Sequence, residues 1–367
     1  MKVLWLFNHP APYKVDMFNL LGKECDLSVI FEREKEGGRN SIFYGEEKHF
    51  NYKICKGLKW GSIESFSLTP IKELKENKYD VIVINGWRTL TEQKTISYLK
   101  KHNIPYIFAI NGGIIKQKEN KLFYRIKKKY ISGASLYITP DSSSANYLLH
   151  YGADKNKIRY FHYSSIFDKD ILPKPLEKEE KIRLRNELGY AKKNEKLFVS
   201  SGQLIERKNF IYLVNIWKKL PSNYKLIISG EGYQKDEILR LIKENNLANV
   251  ELSRYLKKKD ILRLFSISDG FVFLSKEDIY GHVINEALSQ GLPVISSNKV
   301  NASLNLIEDN KNGFVVYLND EEGILKAIQS DKLELMGMDA IRTAKENTIE
   351  RSMLDTLSIL KEFNESK

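Results

Sequence analysis

Short, continuously apolar runs recur along this chain, and stretches with helical spacing separate them. KVLWLFN, CDLSVIF, DVIVING, IPYIFAINGG and ASLYITP fall in the first half; KLFVSSGQL, YKLIISGEG, NVELSRY, GFVFLS and LPVISS fall in the second. A strand solvated on one face alternates apolar with polar residues, whereas a run that is apolar throughout needs cover on both faces. That cover is what parallel strands receive from flanking helices, here supplied by segments such as YKVDMFNLLGK, NFIYLVNIWKKL and KKDILRLFSIS. ASLYITP closes the first series. A charged, proline-bearing connector, DKDILPKPLEKEEKIRLRNELGYAKKNEK, precedes the second. The pattern predicts an α/β fold with two Rossmann-like, doubly wound domains facing across a cleft. The first is expected over 1–165 and the second over 166–345, with a helix over 346–367 packing back toward the first.

At 367 residues the chain is long enough for two cores of ordinary size. No apolar run approaches the roughly 18 residues of a membrane-spanning helix. MKVLWLFNHPAPY reads as a buried first strand and not as a signal peptide. Two cysteines, Cys25 and Cys55, form no CxxC and no Cys/His cluster, which argues against a zinc site and suits a reducing, cytoplasmic setting. The formal charge of +12 is concentrated in YRIKKKY, around KWGSIESF, and in YLKKKDILRLF. Nucleic acid, an anionic membrane surface and phosphorylated substrates all suit such charge, as do plainly solvated lysine-rich helix faces.

In open α/β sheets ligands bind beyond the carboxyl ends of the strands, so the residues leaving each strand carry the most weight. After LFVSS come Gly202, Gln203 and then Glu206-Arg207-Lys208-Asn209 ahead of a helix. A glycine turn with two cations and free backbone N–H groups suits a diphosphate. Gly230 and Gly232 follow LIIS, but Lys235 stands where GxGxxG needs its third glycine, so a dinucleotide site is disfavoured. A tight turn admitting a nucleotide or another backbone remains. After GFVFLS, Asp278 lies on the loop and Glu286 eight positions later on a helix whose apolar face is Val283, Ile284, Ala287 and Leu288. Carboxylates accept hydrogen bonds from vicinal hydroxyls, and the helix N-terminus between them favours phosphate, so the pair suits a nucleotide sugar. Asp168-Lys169-Asp170 matches a DxD metal pattern, but its position in the connector argues against a metal role.

GQLIERKN, GEG and DIYGHVINEALSQGLPV, in that order and spacing, resemble the donor domain of retaining GT-B glycosyltransferases of family 4, and LIEDNKNGFVV resembles the segment that follows. The resemblance covers nearly the whole second half, and PAPYKVDMFNLL and AINGG extend it more loosely into the first. It implies that Arg207 and Lys208 hold the donor diphosphate, Glu286 the ribose hydroxyls and Asp278 the transferred sugar. Further donor contacts are implied for Gly202, Gln203, Gly230, Gly232, Arg254, Glu277, Ile279, Tyr280, Gly281 and His282. Gln203 stands where arginine is usual, Asp278 replaces a glutamate, and Asn111 replaces a histidine found in many relatives.

The resemblance implies transfer of a hexose-type sugar from a UDP-, GDP- or dTDP-sugar, with retention, no metal and no other cofactor. The acceptor, a saccharide or lipid-linked saccharide, is expected near Asn8, His9, Tyr13, Asn85, Asn111, Gly112 and Gly113. Arg125 and Lys127 to Lys129 are expected to contact an anionic membrane, on the inner face of the plasma membrane, and no nucleic-acid partner is expected. A nucleotide-sugar epimerase would need the same donor site without an acceptor. A non-catalytic sugar- or nucleic-acid-binding protein would use the charge but leave the ordered motifs unexplained.

Overall fold

The computed structural model describes residues 1–37, 44–45, 47–61, 64–115, 118–190 and 194–367. The KWGSIESF stretch and the connector each run partly outside these residues, at 62–63 and 191–193. The chain divides into two compact units, Met1–Ser165 with Thr348–Lys367, and Ile166–Asn347.

The first unit holds β1 (Lys2–Phe7), β2 (Asp26–Phe31), β3 (Asn51–Ile54), β4 (Leu58–Trp60), β5 (Glu64–Phe66), β6 (Val81–Asn85), β7 (Ile107–Ala109), β8 (Leu136–Thr139) and β9 (Ile158–Tyr160). All but β4 and β5, a separate antiparallel pair, form one parallel sheet in the order β3-β2-β1-β6-β7-β8-β9. The first series of strands therefore does not close at ASLYITP, because β9 pairs with β8 through Ile138 and Arg159. Strand order reverses between β1 and β6, which defines the unit's switch point. Leu4, Leu6, Ile82, Ile84 and Phe108 fill the core. The helix Ile349–Glu365 buries Ile349, Leu357, Leu360 and Phe363 in this unit. Arg159 grips Glu362 at 2.7 Å and His162 Nδ1 lies 2.6 Å from Asp355 Oδ2.

The second unit holds β10 (Lys196–Ser201), β11 (Tyr224–Ser229), β12 (Val250–Ser253), β13 (Gly270–Phe273), β14 (Val294–Ser297) and β15 (Gly313–Val316), all parallel, in the order β12-β11-β10-β13-β14-β15. Its core gathers Phe198, Trp217, Leu226, Ile228 and Val272. Trp217 is fully buried because its indole N–H donates to Tyr224 O at 2.8 Å, leaving no unpaired donor. The order reverses between β10 and β13, so their exit loops lie side by side. Both units are thus doubly wound, as the apolar runs require.

Candidate functional site

The β10 exit loop turns at Gly202 and forms a 3-10 turn over Glu206–Lys208, and Asn209 then opens the helix Phe210–Trp217. Asn209 adopts φ 63°, a left-handed conformation that asparagine tolerates better than most residues. Its side chain donates to Leu274 O at 3.0 Å, stitching this loop to the end of β13. Ser275 adds a second stitch, its hydroxyl donating to Arg207 O at 2.8 Å, and Lys276 N donates to the same carbonyl. Two loops separated by some seventy positions in sequence therefore behave as one platform.

On that platform Lys208 Nζ is ion-paired with Asp278 Oδ2, and both side chains are about nine-tenths buried. Arg207 Nη1 lies 3.8 Å from the other carboxylate oxygen and 3.3 Å from Glu277 O. Lys208 Nζ also sits 4.7 Å over the Phe273 ring. Two cations thus converge on one buried carboxylate at the switch point, a grouping of charge suited to an anionic ligand. Glu277 is exposed, so the two neighbouring acids face different surroundings.

The helix His282–Ser289 starts at Gly281, whose φ of 100° and approach to Val300 (a Cβ would lie 2.7 Å from Cγ1) admit only glycine without strain. Ile284, Ala287 and Leu288 are buried as the spacing predicts, while Val283 is only half-buried. Asn285 and Ser289 are buried as well, and Asn285 Nδ2 donates to Asn347 O at 2.6 Å. The helix is therefore embedded over more than one face, and half-buried Glu286 and His282 occupy what is left. Tyr280 is buried against the His282 ring, and Ile279 is exposed beside it.

Gly230 and Gly232 follow β11, where a Cβ on Gly230 would lie 2.0 Å from Gly202 O and one on Gly232 2.3 Å from Leu204 O. Both glycines therefore let the turn pack directly against the backbone of the β10 loop. Gln203 is half-exposed in the β10 loop, and exposed Arg254 follows β12, where its carbonyl accepts from Ser229 Oγ at 3.1 Å. In the connector, Asp170 pairs with Lys258 at 3.1 Å.

In the first unit Asn8 and His9 leave β1 and Asn85 ends β6, so these three flank its switch point; Asn111 to Gly113 leave β7 beside it. His9 is buried, with Nδ1 3.2 Å from Tyr44 Oη and Nε2 3.7 Å from Glu36. Tyr13 stacks edge-on against Tyr163. The Oδ1 atoms of Asn85 and Asn111 are buried and meet no hydrogen-bond donor among the described residues. A buried acceptor without a donor is costly, and a ligand hydroxyl would relieve it. Gly113 has a packing reason, since a Cβ there would lie 2.4 Å from the Tyr147 ring.

Lys127 does not face solvent with its basic neighbours. It pairs with Glu119 at 2.5 Å and Tyr151 Oη at 3.0 Å, over the Tyr151 ring, so burial beside an acid removes it from the basic surface. Arg125, Lys128 and Lys129 are exposed.

Residues 183–334 match the family model described as glycosyl transferases group 1. The match covers most of the second unit. It contains the β10 and β13 loops and the Lys208–Asp278 pair. The chain is 28% identical over 151 residues to an N-acetylgalactosamine-N,N'-diacetylbacillosaminyl-diphospho-undecaprenol 4-alpha-N-acetylgalactosaminyltransferase of Campylobacter jejuni, a match covering 38% of this chain and 39% of that one. The chain thus spans well under half the length of that relative. It is 24% identical over 333 residues to a UDP-Gal:alpha-D-GlcNAc-diphosphoundecaprenol alpha-1,3-galactosyltransferase of Escherichia coli, covering 85% of this chain and 81% of the relative. Among solved structures, HepE of Anabaena in complex with UDP superposes with a TM-score of 0.74 at 17% identity, over 100% of this chain and 99% of that one. The fold is GT-B, with two Rossmann-like units.

Asn209 and Ser275, which lock the two loops together, were not singled out by the sequence. The physical reason for the Asn209 backbone is its place directly after the Glu206–Lys208 turn, where a C-cap asparagine tolerates left-handed backbone.

Proposed function

We propose that the protein is a glycosyltransferase that moves a hexose-type sugar from a nucleoside-diphosphate donor to a saccharide or lipid-linked saccharide acceptor, in the synthesis of a cell-surface polysaccharide or glycoconjugate. The observation that carries this reading is the pair of cations, Lys208 and Arg207, gathered at the switch point of a unit that matches the model of group 1 glycosyl transferases. Charge develops on the diphosphate as it leaves, and buried Lys208 with exposed Arg207 beside it stabilises that charge, so the reaction is assigned no resident metal. Glu286 receives the ribose hydroxyls. The acceptor hydroxyl attacks the anomeric carbon from the face the diphosphate leaves: the bond from that carbon to phosphate oxygen breaks, the new glycosidic bond forms, and a donor phosphate oxygen takes the proton. Configuration is retained. Both relatives named above act on diphosphoundecaprenol-linked substrates by name, which supports a lipid-linked acceptor here.

A lipid-linked acceptor calls for a protein that works at a membrane. Among the described residues no helix is long and apolar enough to cross one. The helix Lys121–Ile131 offers peripheral contact instead, with Leu122 63% and Phe123 60% exposed beside Lys121, Arg125, Lys128 and Lys129. Apolar side chains flanked by exposed cations suit the anionic inner leaflet.

A thermal-shift screen of UDP-, GDP- and dTDP-sugars tests the donor, because a ligand specific to the folded state raises its melting temperature. Stabilisation by one nucleotide class is expected, followed by acceptor-dependent product of retained anomeric configuration. Failure of all three classes at millimolar concentration would remove the reading, and donor conversion without acceptor would replace it with epimerisation.

A further inference from the structure

The carboxylate of Asp278 already occupies the cation on which donor binding depends. Asp278 is 8% exposed, and its backbone is pinned on both sides: its N–H donates to Lys299 O at 3.0 Å and its carbonyl accepts from Asn301 N at 3.3 Å. The Lys276 N–H bond to Arg207 O fixes the same loop against the lysine's own turn. The side chain is therefore delivered to Lys208 by a rigid loop, with Arg207 3.8 Å from its second oxygen. A lysine this buried needs a counter-ion whether or not a ligand is present. A diphosphate arriving at Lys208 takes over that role from Asp278, and Asp278 resumes it when the diphosphate leaves. An aspartate reaches the lysine from this loop through its short side chain.

We propose that Asp278 is a positioning residue that exchanges Lys208 with the diphosphate, holding the lysine in place between turnovers and lowering the hold of the site on the released nucleoside diphosphate. The inference rests on the donor-site reading given above. It assigns Asp278 an action through Lys208 in place of direct contact with the sugar.

Calorimetric titration with bare UDP, GDP and dTDP tests it, using the full chain. The parent should bind one of the three. Asp278→Asn should bind the same nucleotide about tenfold more tightly or better, since the competing carboxylate is gone, with kcat reduced and product inhibition strengthened by a similar factor. Asp278→Glu, which keeps the charge, should stay within about threefold of the parent for the bare nucleotide. In a Lys208→Ala background the effect of Asp278→Asn should vanish, as a cycle through the shared partner requires. Unchanged or weaker binding by Asp278→Asn overturns the exchange, as does tighter binding that persists without Lys208. Altered discrimination among donor sugars with unchanged bare-nucleotide affinity assigns Asp278 to the sugar instead. If Asp278→Asn does not fold alone, millimolar nucleotide should restore a cooperative melt, and a variant that stays unfolded with nucleotide also overturns it. A parent that binds none of the three removes the donor-site reading, and the exchange with it. A parent that binds while the variant ratio stays flat removes the exchange alone.

Discussion

Gly86 makes room for the carboxylate of Glu92: a Cβ on the glycine would lie 2.5 Å from Glu92 Oε1. Glu92 and Thr89 form a capping box, with Thr89 N donating to Glu92 Oε2 at 2.8 Å and Glu92 N to Thr89 Oγ1 at 3.1 Å. Burial, and then the nearby charge of Glu32, raise the Glu92 carboxyl well above its ordinary range. Burial raises Glu32 too, although Ser65 donates to it. A carboxyl raised in the folded state binds protons there that the unfolded chain has released, so its stabilising effect is present below the ordinary carboxylate range and is lost as pH rises. Glu92→Gln keeps the cap and removes the charge. The variant should melt higher than the parent at pH 8, by roughly 3 °C or more for a unit of this size, with the gap closing toward pH 5. Melting curves across that range check it, and a gap independent of pH would refute the titration.

Lys14 presents the opposite sign. It is 2% exposed, and its ammonium lies 5.1 Å from the Phe161 ring centroid, 5.2 Å from Tyr163 and 5.6 Å from Trp5. Burial lowers its pKa to about 7. Between pH 7 and the ordinary lysine range the unfolded chain holds a proton that the folded protein sheds, so stability rises with pH in that window. Lys14→Met, similar in length and uncharged, should stabilise the protein at pH 7 by about 2 kcal/mol, after the cation–π attraction of the cage offsets part of the burial cost. The gain should shrink by pH 9.5. Urea unfolding at both pH values decides it, and a variant less stable at pH 7 would mean that the cage holds the charged form.

The central strands were legible because their chemistry is global: VLWLF, VIVI and LIIS have no polar side to offer water, so only a sheet covered on both faces accommodates them. β3 and the β4–β5 hairpin were not. NYKI is mostly exposed at the sheet edge and LKW entirely exposed, so neither run carries a burial pattern, and pairing with Ser28 to Phe31 or with Glu64 to Phe66 defines them instead. The site divides in the same way. Lys208 and Asp278 stand out as charged residues at strand exits, but the contact between them depends on β10 lying beside β13, a relation no local pattern encodes. Lys14, Glu32 and Glu92 read as surface residues in sequence, since helical spacing does not reveal how deeply a polar position is buried.

Lys208→Ala should reduce turnover by about 10²-fold or more, the usual consequence of removing a donor that stabilises developing charge. The alanine leaves Asp278 with Arg207 alone, so its melting temperature must be measured alongside. A folded variant with parental kinetics would take the diphosphate away from this lysine.

Glu286 gives a separate test of orientation. If it accepts from the ribose hydroxyls, the parent should prefer UDP over 2′-deoxy-UDP (or the matching GDP pair), and Glu286→Ala should lose most of that preference. A lost hydrogen bond to a charged group corresponds to roughly tenfold in affinity. A preference that survives the substitution would move the ribose elsewhere.

The helix Lys121–Ile131 separates two contributions to membrane contact. Its cations act over a distance and are screened by salt, whereas Leu122 and Phe123 act only by insertion. Co-sedimentation with vesicles containing about one-third anionic lipid should therefore fall for Arg125→Glu/Lys128→Glu/Lys129→Glu in low salt. Leu122→Ser/Phe123→Ser should instead remove the fraction that resists high salt. Lys127→Ala, whose charge is committed to Glu119, should weaken the fold without a selective effect on vesicle binding. If both surface variants sediment like the parent, this helix is not the membrane-facing element.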